Sequence, residues 1–138
     1  MSADVTSLSV EFLFSMEITV GEFFPIGNGP KGNRTVAGVT GGTVTGPKVN
    51  GTVVGPGGDW VYIAPDGMLT LDVRAQIKTD DGAVILISYA GKANKGNIRT
   101  APTFETGDER YAWLNGVQAV GVGKSSRGSV SYDVYQLL

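Results

Sequence analysis

Apolar and polar side chains alternate with a period of two near the start of the chain. Seven consecutive even-numbered positions are apolar, whereas six of the seven odd-numbered positions from Ser7 to Thr19 are not. The apolar positions are Leu8, Val10, Phe12, Phe14, Met16, Ile18 and Val20. Because successive side chains of an extended chain point to opposite faces, this pattern predicts a β-strand with one buried face.

Similar segments recur down the chain, separated by tight-turn signals such as Asp66-Gly67 and Asp81-Gly82. They predict strands near residues 5–19, 34–46, 49–54, 59–64, 68–79, 83–91, 99–106, 110–122 and 129–137. At about 3.3 Å per residue the first strand would be about 50 Å long, so we expect a bend or bulge inside it. Gly41-Gly42 should bend the second strand in the same way.

The strands are not interrupted by helical patterns. No segment of ten or more residues has the period of an amphipathic helix. Strands linked by short turns must close into a barrel or pack as two sheets, because unpaired edges promote aggregation. We therefore predict one domain over residues 1–138, an all-β, closed antiparallel barrel of about eight strands. The interior of such a barrel has room for packed side chains or for one small ligand.

Charge and hydropathy narrow the range of partners. The formal net charge is −2, and the lysines and arginines are scattered rather than clustered, so we expect no nucleic-acid partner. No apolar run approaches the roughly 20 residues of a membrane-spanning helix. The first residues lack the basic and apolar regions of a signal peptide, so we expect a cytoplasmic protein without a membrane partner. An apolar outer face would favour a homo-oligomer.

Neither cysteine nor histidine occurs in the chain. Thiolate nucleophiles, zinc–thiolate sites, iron–sulfur clusters and Ser-His dyads are therefore excluded, and proton transfer would use Asp, Glu, Tyr, Lys or water. The segment from Gly27 to Gly32 matches the dinucleotide pattern G-x-G-x-x-G. A β-branched, glycine-rich segment follows it where the phosphate-binding helix should begin. We predict no metal site and no cofactor.

The predicted strand at 68–79 has two distinct faces. Odd-numbered positions from Leu69 to Ile77 are apolar, and the even-numbered positions between them are polar. The polar face consists of Thr70, Asp72, Arg74, Gln76 and Lys78. Either this face meets water, or part of it lines the barrel lumen while the apolar face is covered by neighbouring elements or a second subunit.

The aromatic residues allow two interpretations as well. Tyr111, Trp113 and Asn115 share one face of the predicted strand at 110–122, and Trp60 follows Gly57-Gly58-Asp59. A tryptophan in a β-protein commonly belongs to the core. A large indole beside a polar amide is also the composition of a small-molecule pocket.

Six sequence blocks occur in the order that is typical of one protein family. They are Gly41-Gly42-Thr43-Val44-Thr45-Gly46-Pro47, Gly57-Gly58-Asp59-Trp60, Pro65-Asp66-Gly67, Arg74 followed by Thr79-Asp80-Asp81-Gly82, Ala101-Pro102-Thr103-Phe104-Glu105-Thr106-Gly107, and Tyr111-Ala112-Trp113-Leu114-Asn115. The series covers nearly the whole chain and resembles the uncharacterised family catalogued as domain of unknown function 3237.

The resemblance implies a closed antiparallel β-barrel similar to that of allene oxide cyclase and, more distantly, of dirigent proteins. Those proteins bind small apolar molecules in the barrel and direct ring closure or coupling with few conventional acid–base residues. Barrels of this kind carry mixed polar and apolar groups at one end. That arrangement implies inward positions for Arg34, Asp59, Arg74, Tyr89 and Asn115.

Our first hypothesis is an isomerase, cyclase or lyase that uses neither metal nor redox cofactor. Its substrate would be a small, apolar, oxygenated molecule such as a polyketide, terpenoid or aromatic metabolite, held in one reactive conformer. Asp59 or Asp72 would act as the base, Arg74 with Arg34 would stabilise an oxyanion, and Tyr89 or Tyr111 would donate a proton. The predicted substrate-binding residues are Arg34, Trp60, Tyr111, Trp113 and Asn115.

Two other hypotheses use the same residues differently. A binding or carrier barrel would hold the same small apolar molecule without turnover. A purely structural oligomer would expose its polar stripe to water and have no lumen site. The side of the strand at 68–79 that faces inward distinguishes a polar lumen from a polar surface.

Overall fold

A computed structural model describes residues 6–138. Most of this part of the chain is extended, with one short 3₁₀ helix, η1. The elements are β1 (Val10–Gly29), β2 (Gly32–Thr45), β3 (Gly51–Ile63), β4 (Leu69–Thr79), β5 (Val84–Asn94), β6 (Asn97–Thr100), β7 (Thr103–Glu105), η1 (Glu109–Gly116), β8 (Ala119–Ser126) and β9 (Ser129–Leu137).

The strands form a closed ring of antiparallel pairs. The order is β4-β3-β2-β1-β9-β8-β6-β5, and the pairing of β4 with β5 closes it. The short strand β7 pairs with β5 beside β6, so β6 and β7 together occupy one position in the ring. The closed antiparallel barrel of eight strands that the sequence predicts is therefore confirmed.

One extra residue in β1 reverses the face that is buried. Phe12 lies opposite Tyr135 of β9 and Phe14 lies opposite Val134, so Leu13 has no counterpart in the ladder. Beyond this bulge the even-numbered residues from Phe14 to Ile18 are buried, as the alternation predicts. Before it they are exposed, and the Phe12 ring packs edge-to-face on Tyr135 at the outer surface, with ring centroids 5.7 Å apart.

The first three strands are longer than predicted and contain the expected irregularities. The predicted strands at 49–54 and 59–64 are a single strand, β3, whose register with β4 shifts between Val54 and Gly58. Register shifts also occur in β1 beyond Thr19 and in β2 at Gly41-Gly42, where Gly42 has φ +150°. The predicted loops at Gly27 to Gly32 and Lys92 to Asn97 are reduced to tight turns between paired strands.

The prediction of a strand over residues 110–122 is wrong for the first half of this segment. Residues Glu109–Gly116 form η1, and β8 begins only at Ala119. The Asp108 carboxylate accepts a hydrogen bond from the Arg110 amide at 2.9 Å and caps the start of the helix. Because a 3₁₀ helix has three residues per turn, Tyr111 and Leu114 lie on one face, and both are buried.

The η1 helix covers one end of the barrel, which we call the lower end. The Tyr111 hydroxyl donates to Asp81 Oδ2 in the β4–β5 turn at 2.8 Å. The Asn115 amide exchanges two hydrogen bonds with the Thr106 backbone, at 2.8 and 2.9 Å. Leu114 has no exposed surface and belongs to the main hydrophobic core. This end is therefore filled by packed side chains.

The opposite, upper end carries the β1–β2, β3–β4, β5–β6 and β8–β9 turns. Beyond Val20, β1 no longer pairs with β9 and pairs only with β2, while β2 continues to pair with β3 as far as Ile63. Phe23, Phe24 and Ile26 on this part of β1 are exposed. No helix within residues 6–138 is long and apolar enough to cross a membrane.

We expect Leu114→Ala to lower the free energy of unfolding by about 2–5 kcal/mol, because it leaves a cavity in packed core. Urea denaturation of the two proteins measures the difference. The matched control is Leu8→Ala, which truncates a side chain that is 71% exposed and should change stability by less than about 0.5 kcal/mol. Equal effects of the two substitutions would contradict the assignment of η1 as a packed cover.

Candidate functional site

The two faces of β4 are divided between the core and the solvent. Leu71, Val73, Ala75 and Ile77 are buried inside the barrel, and the polar side chains between them lie on the outer surface. The interpretation in which the polar face meets water is therefore correct. The lumen must take its polar groups from other strands.

A cavity of about 260 Å³ occupies the upper half of the barrel. Its walls are largely apolar and include Val61, Leu69, Leu71, Ala93, Ile98 and Val130. Four side chains contribute polar atoms or charge, namely Asp59, Tyr132, Lys95 and Ser125. An apolar cavity with a few convergent polar groups is the usual composition of a small-molecule site.

Asp59 carries its carboxyl group into this cavity from β3. Its Oδ1 accepts a hydrogen bond from the Asp72 backbone amide at 3.0 Å. Burial raises the pKa of Asp59 from an ordinary 3.8 to about 6, an increase that the Asp72 amide opposes and the nearby Asp72 charge assists. The carboxyl group therefore titrates close to neutrality.

The β3–β4 ladder opens beside Asp59. In the described structure Trp60 and Asp72 do not pair through their backbones. The Asp72 amide donates to the Asp59 side chain instead, and the Trp60 carbonyl accepts from Arg34 Nη1 at 2.9 Å. The Arg34 guanidinium lies 3.5 Å from the centroid of the Tyr62 ring, which holds it on the outer surface. Side chains thus satisfy both backbone groups that the open ladder leaves free.

Two tyrosines stand next to Asp59 in the lumen. Tyr89 of β5 and Tyr132 of β9 are both buried, and their rings pack edge-to-face with centroids 5.4 Å apart. Burial is the main cause that raises the pKa of Tyr132 to about 12 and the pKa of Tyr89 well above its ordinary value, and the Asp59 charge adds to both shifts. Both phenols therefore stay protonated at neutral pH and can donate hydrogen bonds.

The structure brings together a carboxylate and a phenol, Asp59 and Tyr132, in a largely apolar cavity, with the buried Tyr89 packed on Tyr132. A carboxylate with a pKa near 6 can accept a proton at neutral pH. A neutral phenol beside it can donate a proton or a hydrogen bond to developing negative charge. The arrangement can therefore move a proton between two atoms of one bound molecule.

Of the residues with predicted catalytic roles, Asp59 and Tyr89 lie in the lumen, and the side chains of Asp72 and Arg74 do not. Asp59 and Tyr89 point inward. The inward placement of Arg74 is wrong, and the Asp72 side chain also lies outside, because both belong to the even-numbered face of β4. Their side chains border a shallow groove on the outer surface. Only the Asp72 backbone amide contacts the lumen group Asp59.

The residues predicted to bind substrate all lie outside the cavity. Arg34 and Trp60 are on the outer face of β2 and β3, where Arg34 supports the Trp60 carbonyl. Tyr111, Trp113 and Asn115 belong to η1 at the lower end rather than to one strand face. Tyr111 and Asn115 fasten η1 to the barrel, and Trp113 is part-exposed beneath Lys48 Nζ, 5.4 Å from its ring centroid.

Sequence reasoning missed Tyr132, Lys95 and Ser125. Tyr132 alternates in phase with the apolar residues Val130 and Val134, so its position in the sequence is that of an ordinary core tyrosine. Lys95 occupies the β5–β6 turn, where a lysine suggests nothing more than a solvated loop. Their roles depend on which turns and strands the closed ring brings together.

A closed β-barrel with a polar site in its lumen is the class of protein that these features define. The chain belongs to the family described as "protein of unknown function (DUF3237)", which it matches over residues 8–137. No group of three or more acidic residues within the described part of the chain is placed to hold a metal ion.

Known proteins from two organisms are similar over most of the chain. UPF0311 protein RPA1785 of Rhodopseudomonas palustris is 29% identical over 96% of this chain and 98% of its own length. Its crystal structure, described as a conserved protein of unknown function, has a TM-score of 0.89 and covers 97% and 100% of the two chains. The hydroalkoxylation enzyme phnH of Penicillium herquei is 34% identical over 84% of this chain and 74% of its own length. The crystal structure of an enzyme from Penicillium herquei is 30% identical with a TM-score of 0.80, covering 100% of both chains.

Asp59 should make stability depend on pH in an unusual direction. Its pKa is higher in the folded state than in the unfolded chain, so its contribution is complete below about pH 4 and is lost as the pH rises through about 6. The loss has an upper limit of about 3 kcal/mol. We therefore expect Asp59→Asn to be more stable than the wild type above about pH 7 and similar to it near pH 4.

Urea denaturation of both proteins across this pH range measures the difference. Asp80→Asn removes an equivalent charge from the exposed β4–β5 turn and is the matched control, since it should not alter the pH dependence. A stability difference between Asp59→Asn and wild type that stays constant with pH would contradict the raised pKa.

Proposed function

We propose that the protein is an isomerase or cyclase that adds a hydroxyl group across a carbon–carbon double bond within one small, largely apolar molecule bound in the lumen. The observation that carries the proposal is Asp59, a carboxylate that lines an apolar cavity together with the Tyr132 phenol, on which the Tyr89 ring packs. Catalytic groups are commonly found where burial shifts a pKa towards neutrality.

The chemistry balances without an oxidant or reductant. Asp59 accepts the proton of the substrate hydroxyl, and the oxygen forms a bond to one alkene carbon as the π bond breaks. The other alkene carbon takes a proton from Tyr132, and the proton held by Asp59 restores the phenol. Atoms and electrons are conserved, so the product is a cyclic ether isomeric with the substrate.

Enclosure of the substrate is the second proposed contribution to catalysis. A cavity of about 260 Å³ holds a molecule of roughly one to two rings with little freedom to rotate. Holding hydroxyl and alkene in contact converts a slow encounter into a step within one bound molecule. The Tyr89 ring packs edge-to-face on Tyr132 and helps to hold the phenol that donates the proton to carbon.

The similarity to a fungal enzyme supports this class of reaction. The Penicillium herquei protein phnH is named a hydroalkoxylation enzyme, and hydroalkoxylation is the addition of an O–H group across an alkene. The related bacterial protein RPA1785 is described as being of unknown function, so the reaction is our proposal for this chain.

The proposal predicts that the protein converts simple ortho-alkenylphenols into cyclic ethers. With 2-(3-methylbut-2-enyl)phenol in D₂O, the product should carry one non-exchangeable deuterium on carbon, which mass spectrometry and NMR detect. Asp59→Asn should lower the rate by about 10²–10⁴-fold, the usual contribution of a general base, while calorimetry shows that the phenol still binds. The asparagine Oδ1 can keep the hydrogen bond from the Asp72 amide.

Two controls separate this site from a general effect of charge. Asp80→Asn in the β4–β5 turn and Arg74→Gln on the outer face of β4 should leave the rate unchanged. Binding without any deuterium incorporation in the wild type would favour a non-catalytic carrier barrel. Unchanged turnover in Asp59→Asn would remove Asp59 from the mechanism.

A further inference from the structure

The polar groups of the cavity are separated into two sets. Asp59 and Tyr132 lie on the strands β3 and β9 and form the inner set. Lys95 in the β5–β6 turn and Ser125 near the end of β8 form the outer set at the upper rim. Lys95 is the one cationic residue among those that line the cavity.

The backbone conformation of the β5–β6 turn does not account for a lysine at position 95. Lys95 has φ +52° and Gly96 has φ +81°, which are the left-handed conformations of a two-residue type I′ hairpin turn. Asparagine, aspartate and glycine are preferred at the first position of this turn, because other side chains are disfavoured at positive φ. A lysine at this position is therefore unfavourable for the local backbone, and its side chain must be considered for another role.

The charge of Lys95 is available to a ligand. Within residues 6–138 both ion pairs are made by Arg110 at the lower end, and no carboxylate lies within 4.0 Å of the Lys95 ammonium. The β8–β9 hairpin holds the rim in place, since the Ser125 amide donates to the Gly96 carbonyl at 3.1 Å. This hydrogen bond from β8 fixes the backbone of the turn that carries Lys95 beside the cavity.

We infer that the substrate carries an anionic group, a carboxylate or an ionised phenol, that binds Lys95 at the rim while its reacting hydroxyl reaches Asp59. This inference rests on the proposed function, whose cavity it uses. A negatively charged Asp59 repels an anion from the inner set, and Lys95 attracts it to the outer set. The two charges therefore favour one orientation of an elongated acidic molecule.

The test compares an acid with its neutral isostere. Isothermal titration calorimetry measures the binding of 2-naphthoate and of 2-naphthamide to wild-type protein and to Lys95→Asn. The variant should bind naphthoate about fivefold or more weakly and naphthamide equally well. Because asparagine suits a type I′ turn, Lys95→Asn should unfold at the same or a higher temperature, which thermal denaturation checks.

Further variants show whether the effect belongs to this position. Lys95→Arg keeps the charge and should keep naphthoate affinity. Lys78→Gln removes a charge from the outer face of β4 and should not change it. Raising the salt concentration from about 0.01 M to about 1 M should weaken naphthoate binding to wild type and not naphthamide binding. This last measurement does not depend on how any variant folds.

The outcomes distinguish a failure of the anionic substrate from a failure of the lumen site. Equal naphthoate affinity in wild type and Lys95→Asn, or an equal loss in Lys78→Gln, would overturn the anionic substrate and leave the lumen site of the proposed function in place. No binding of either probe to the wild type would overturn both. Loss of naphthoate affinity in Lys95→Asn alone, with naphthamide unaffected, would support the inference.

Discussion

The pairing of β4 with β5 is the interaction on which the candidate site depends, because it closes the ring. Ten consecutive residue pairs join these strands. Once the ring is closed, every strand turns alternate residues inward, and the position of a residue in that alternation decides whether it can meet a ligand. Closure also removes most water from the inner wall, and that loss of solvation is the main reason for the raised pKa of Asp59. Closure of the ring therefore determines which residues face the lumen and also raises the pKa of Asp59.

The sheet loses regular backbone pairing where Asp59 enters the lumen. A regular β3–β4 ladder would use the Asp72 amide and the Trp60 carbonyl in backbone pairing, whereas here a carboxylate and a guanidinium take their places. Arg34 thus acts from the outer surface on a group inside the barrel, through the backbone that separates them. Local departures from regular pairing, together with a buried acid, are commonly found at functional sites.

The sequence predicts the fold better than the site. The alternation from Phe14 to Ile18 and the turn signals are local, so they lead to the strands and the closed barrel. The placement of Arg74 is not local, since an amphipathic strand can turn either face inward until the ring is closed. The spacing of Tyr111, Trp113 and Asn115 is typical of one face of a strand. These residues nevertheless lie in a 3₁₀ helix, which the Asp108 side chain caps. The expectation of a homo-oligomer stays a prediction.

The two ends of the barrel differ in packing, and its strands and turns carry different groups of the candidate site. The lower half is packed around Leu114 and supports the ring, and the upper half leaves a cavity. The groups proposed to move protons, Asp59 and Tyr132, are on strands whose positions the ladder fixes. The group proposed to select the substrate, Lys95, is on a turn, and turns tolerate substitution without disturbing the strands they join. In the proposed mechanism, a substitution at the rim would change substrate preference without moving the groups that transfer the proton.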